Sequence, residues 1–96
     1  NARTQISIDS RANESFTLLE VVAADRPGLL AKLARVFQTH HIQIQAAKIT
    51  TLGERVEDVF HIVTRSGLPM NDPDAEAQLS KSIQAELDQH IQRISA

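Results

Sequence analysis

Residues 25 to 30 read Asp25-Arg26-Pro27-Gly28-Leu29-Leu30, placing an acid and a base beside a Pro-Gly pair where an apolar run gives way to helical spacing. Proline presets φ for a first helical turn, and glycine lets another molecule come close to the backbone. The segment therefore reads as a strand-to-helix turn with uncommitted amides at the helix start. Such amides attract small anions, and the carboxylate of Asp25 beside them supplies a counter-charge for an ammonium. One short turn thus offers both poles of a free amino acid. This is binding chemistry.

Other reactive side chains lack a working spacing. His40 and His41 are adjacent, while His61 and His90 fall on different elements, so no pair has the i, i+4 helical spacing of a zinc site. Glu54, Glu57 and Asp58 suggest an acid/base or metal cluster, but on an extended strand Glu57 and Asp58 point to opposite faces. They read instead as a charged edge paired with Arg55. There is no Ser/His/Asp order and no Gly-rich phosphate loop with its Lys. No residue of this chain is expected to be catalytic or to ligate a metal.

Composition bounds the rest. The 96 residues are 42% hydrophobic and 23% charged, with three Gly and three Pro, which describes one domain with one core, taken here as residues 4–95. A net charge of −2 and aromatics that are all Phe leave no footprint for nucleic acid. The absence of cysteine excludes a disulfide framework and suits a cytoplasmic location. No apolar run approaches the ~20 residues of a membrane span. The chain opens on Asn1 and shows no pattern through residue 3, as expected of a piece cut from a larger protein.

The turn needs elements to hold it. Thr4 to Asp9 alternates with period two, Ser10 to Ser15 is a polar turn, and Phe16 to Ala24 is a longer β-rich run, so these predict a hairpin. From Gly28 to His40, Leu29, Leu30, Leu33, Val36 and Phe37 recur at helical spacing. Two more strands follow, Ile42 to Leu52 and Arg55 to Arg65, joined at Gly53-Glu54. Asp72 then caps a second helix with Pro73 in its first position, and the stripe Leu79, Ile83, Leu87, Ile91, Ile94 runs on from there. The order ββαββα, with right-handed crossovers, predicts an α+β fold: a four-stranded antiparallel sheet with two helices on one face. In the Phe16 to Ala24 run, Phe16, Leu18 and Val22 oppose Leu19, Val21 and Ala23. In the last strand, Phe60 and Ile62 oppose Val59 and Val63. A sheet covered on one side should show a polar outer face, so a second copy or a neighbouring domain is expected to cover it.

Together, the run Leu19 to Leu30, the segment Ile42 to Ala47 and the stretch Lys48 to Phe60 with its Gly53-Glu54-Arg55-Val56-Glu57-Asp58-Val59-Phe60 core resemble the ferredoxin-like ACT domain. More narrowly, they resemble the C-terminal ACT domain of bifunctional uridylyltransferase/uridylyl-removing enzymes that modify the nitrogen-regulatory protein PII. The likeness covers residues 4 to 65 well and the last helix by pattern. It departs from the usual βαββαβ order: an extra strand precedes the first helix and none follows the second, as in a permutation that leaves the sheet filled.

The resemblance implies a regulatory domain that senses an amino acid, most directly glutamine, and pairs with another ACT domain, either a tandem neighbour or a second copy. It implies that Asp25 holds the ligand's ammonium or side-chain amide, that the amides of Gly28 and Leu29 hold its carboxylate, and that Arg26, Pro27 and Leu30 complete the turn. A partner's third strand, at Ala46, Ala47, Lys48 and Ile49, would close the pocket. PII is reached through the parent enzyme, which needs a divalent metal such as Mg; this piece needs no cofactor. Plainer roles stay open, with Asp25 as a helix cap and Gly28 as a packing allowance. So do a purely structural docking domain and an ACT domain of another amino-acid-controlled enzyme.

Overall fold

Alternation along β2 (Thr17–Ala24) sends Thr17, Leu19, Val21 and Ala23 to one face, where all four are fully buried. β5 (Arg55–Val63) lies antiparallel beside it, with Thr17 opposite Ile62, Leu19 opposite Phe60, Val21 opposite Asp58 and Ala23 opposite Val56. These are the inner lanes of the sheet. A computed structural model describes residues 3–88; His90, Ile91 and Ile94, and the end of the domain at residue 95, lie outside the described residues.

The outer lanes follow from the chain order. β1 (Gln5–Asp9) pairs antiparallel with β2 and takes one edge, with Ile6 and Ile8 packed against the core. Beyond β5 lie β3 (Gln43–Lys48) and β4 (Thr51–Leu52), both antiparallel to it, so the lanes run β1-β2-β5-β3 with β4 continuing the last one. The expected unbroken strand from Ile42 to Leu52 is therefore two segments. A bulge lies between Ile44 and Ala46, and the break at Ile49-Thr50 has a chemical cause: Asp58 Oδ1 accepts from the Thr50 amide at 3.3 Å. A side chain takes the place of a ladder partner there.

α1 (Leu29–Thr39) and α2 (Pro73–Leu87) cover the face that carries Leu19, Val21, Phe60 and Ile62. Leu33, Leu79, Ile83 and Leu87 are buried there, each by about 1.5–3 kcal/mol of apolar transfer, and Phe37 meets Phe60 edge-on with ring centres 5.4 Å apart. Leu30 departs from the expected stripe and is 50% exposed. α2 starts as its sequence requires: Asp72 accepts from the Asp74 amide at 3.0 Å with Pro73 in the first position. α1 ends differently. His41 adopts a left-handed φ of 58°, and the bonds from Ile42 N to Phe37 O (2.8 Å) and from His41 N to Gln38 O (3.1 Å) close the last turn.

The face away from the helices carries half-buried Leu18, Val22, Ala24 and Val59 among Glu20, Glu57 and His61. Phe16 stacks on His61 at 3.9 Å. The mixture matches the two-sided apolar pattern of the sequence.

Candidate functional site

The Asp25–Leu30 turn is held from two sides. Asp25 N donates to Glu54 O at 2.8 Å, which ties the end of β2 to the β4–β5 turn. Arg26 Nη1 donates to the Leu87 carbonyl at the end of α2, so this arginine braces the turn against the second helix, where carbonyls otherwise lack partners. Gly28 is the N-cap of α1 with φ of 79° and no side-chain cap bond. Asp25 is therefore no helix cap, which removes one of its plainer readings. With no Cβ, Gly28 reaches this conformation at little cost.

Helix geometry then decides which amides face outward. Leu29 N donates to Arg26 O at 3.3 Å and Lys32 N to Gly28 O at 3.0 Å. The amides of Leu30 and Ala31, in the first turn, receive no partner among the described residues, as expected of a helix start. Gly28 N is likewise unengaged there. Of the Gly28 and Leu29 amides, that of Leu29 closes a turn on Arg26 and that of Gly28 stays unengaged among the described residues.

Beside these amides lies a cavity of about 260 Å³ walled by Asp25, Arg26, Gly28, Leu29, Leu30, Ala31, Ile49, Thr51, Val56 and Asp58. Its size falls below the ~300–1,000 Å³ of pockets for drug-sized ligands and suits a smaller metabolite. It gathers most of the residues singled out in the sequence. Pro27 and this chain's own Ala46, Ala47 and Lys48 stay outside it, exposed; the last three lie on the edge strand β3.

Asp58 is the residue that sequence reasoning misplaced. Read as part of a charged edge, it is 1% exposed, on the helix-covered side of an inner strand. Glu57, its neighbour on the opposite face, does pair with Arg55, at 2.8 Å. Oδ1 of Asp58 takes the Thr50 amide, while its buried Oδ2 has no hydrogen-bond partner among the described residues. Burial pushes the Asp58 carboxyl above its usual range; the Thr50 amide opposes that shift and the charge of Asp25 adds to it. Two carboxylates thus border one cavity.

The histidines serve elsewhere. His40 Nε2 lies 2.9 Å from Ser82 Oγ, His41 Nδ1 lies 2.7 Å from Arg65 Nη2, and His61 stacks on Phe16. A larger groove of about 480 Å³ between α1 and α2 includes Arg35, His40, Ser82 and Glu86. Its polar groups already meet each other, with Arg35 and Glu86 3.7 Å apart, so it offers a ligand less than the turn does. Among the described residues no group of His, Cys, Asp and Glu is placed to hold a metal ion, and no helix is long and apolar enough to cross a membrane.

A split β-α-β sheet with a ligand-sized cavity at the strand-to-helix turn defines a class of small regulatory domain. The ACT domain family matches residues 17–84, and the chain belongs to it. β1 precedes the matched part. The chain is also similar to parts of much longer proteins, each named a bifunctional uridylyltransferase/uridylyl-removing enzyme. It is 46% identical over 79 residues to that of Ectopseudomonas mendocina, covering 82% of this chain and 9% of the relative. The values are 45% over 83 residues, 86% and 9% for Pseudomonas syringae pv. tomato, and 43% over 91 residues, 92% and 10% for Azotobacter vinelandii. The chain thus spans about a tenth of the length of the curated relatives it matches.

Proposed function

We propose that this ACT domain senses a free amino acid, glutamine, and thereby controls a longer cytoplasmic uridylyltransferase/uridylyl-removing enzyme that acts on PII. The observation that carries the reading is the cavity at the Asp25–Leu30 turn, where unengaged amides and carboxylate groups meet. A helix start favours the ligand's carboxylate, and carboxylates favour its ammonium or side-chain amide. Apolar walls from Leu29, Ile49 and Val56 suit the methylenes between them. The chemistry of uridylylation belongs to the rest of such an enzyme, with its divalent metal such as Mg.

The ligand reports to a partner through the sheet. β3 is exposed along its length, and Ile44, Ile49 and Leu52 are each close to half exposed along that lane. A second ACT domain, as tandem neighbour or second copy, would bring its own Ala46–Ile49 segment toward the turn and close the pocket. The same exposed edge favours a second reading, a docking domain that binds nothing small. Titration calorimetry with a panel of free amino acids separates them. Sensing predicts saturable heat with glutamine and little with amino acids of other size or charge; docking alone predicts no heat with any.

A further inference from the structure

We propose that Asp58 receives the α-ammonium of the bound amino acid at the inner wall of the cavity, leaving Asp25 at the rim for the ligand's side-chain amide. The inference rests on the sensing function above and deepens it, since the turn motif alone points to Asp25. Depth separates the two carboxylates. Asp25 is exposed, whereas Asp58 is 1% exposed and still lines the cavity.

Three observations converge on Asp58. Its Oδ1 is fixed by the Thr50 amide, which holds the carboxylate in one orientation at the break between β3 and β4. Its Oδ2 is buried without a hydrogen bond among the described residues, an arrangement that is costly unless a donor arrives. The same cavity is lined by Leu30 and Ala31, whose first-turn amides are unengaged among the described residues, so a ligand whose ammonium meets Asp58 has a helix start for its carboxylate beside one small volume. Arg26 is the cation of the lining, and its guanidinium is drawn to the Leu87 carbonyl on α2.

The chemical class of the ligand follows. Calcium or magnesium needs about six or more oxygen ligands, whereas this lining pairs two carboxylates with apolar Leu29, Ile49 and Val56. An ammonium has three donors on a compact charge and is satisfied by one carboxylate with one or two further acceptors. Pinning the strand break explains only Oδ1. An asparagine would pin it equally well, and that defines the test.

Asp58→Asn keeps the volume and an acceptor for the Thr50 amide while removing the charge. Calorimetric titration of the full chain with L-glutamine should show a dissociation constant raised by about ten- to a hundredfold. N-acetyl-L-glutamine, which lacks the ammonium, should bind the parent weakly and the variant no more weakly still. A thermal midpoint at or above the parent's shows that the variant folds. Glutamine affinity within about twofold of the parent's would overturn the role of Asp58 and leave the sensing function standing. A parent chain that binds no free amino acid would overturn the sensing function itself, and this proposal with it.

Discussion

An aspartate on an inner strand of a sheet, with one oxygen tied to a neighbouring amide and the other without a partner among the described residues, is unusual in a small domain. Burial disfavours its charge, and the nearby Asp25 adds to that. Its folded carboxyl therefore keeps a proton to higher pH than the ordinary value of 3.8 allows. The sign follows: the penalty is absent below the ordinary value, grows as pH rises through the folded one, and is fully present above it. Asp58→Asn should raise stability at neutral pH by about 1 kcal/mol, and the gain should fade below pH ~3, where both states are mostly protonated. Urea midpoints at the two pH values measure this; a variant less stable at neutral pH would show that the carboxylate supports the fold. The turn was legible because Pro27 and Gly28 have few uses side by side. Asp58 was hidden by its neighbours Glu54, Glu57 and Arg55, which make a charged run out of alternating faces. Period two already separates Asp58 from Glu57; what it leaves open is which face the helices cover.

Elements carry their own balance sheet at the two ends of α1, each marked by a left-handed residue. Gly28 starts the helix at φ 79° and His41 follows it at φ 58°. An added Cβ on Gly28 meets nothing within 4 Å, so Gly28→Ala isolates the backbone cost of about 1–2 kcal/mol. His41→Gly should run the other way and stabilise by about 0.5–1 kcal/mol, because the exposed Arg65 contact it gives up is worth little. Chemical denaturation of both variants checks the pair; equal loss in both would mean that His41 is held by more than its turn. The cap of α2 was plain from Asp72-Pro73, since both residues act locally. The end of α1 was not, because a histidine can occupy a glycine's conformation only when the surrounding bonds impose it. The split of the third strand was hidden for a different reason: it depends on the Asp58 side chain reaching back eight residues across the β4–β5 turn to the Thr50 amide, a contact that periodicity does not register. Leu30 fitted the helical stripe by spacing, yet it sits in the first turn of α1, half exposed, and lines the cavity.

At the scale of the whole molecule, the sheet has one face under helices, another of mixed character, and a bare edge at β3. Self-association or docking through the sheet should appear in sedimentation as species larger than a monomer at tens of micromolar, on the order of ordinary interface affinities; a strict monomer at that concentration would count against a second copy as the partner. The position of β1 was legible, because a hairpin with β2 is the short connection available and it fills the edge that a terminal strand occupies in the usual ACT order. Which partner covers the remaining surface depends on molecules beyond this chain. Regulation, the central claim, is tested most directly in the complete enzyme by following glutamine's effect on PII uridylylation with and without the Asp25 side chain. Asp25 caps no helix, so Asp25→Ala should leave folding within about 0.5 kcal/mol of the parent, while the glutamine concentration needed for half its effect rises by about tenfold or more. An unchanged glutamine response in a folded Asp25→Ala enzyme would contradict the account.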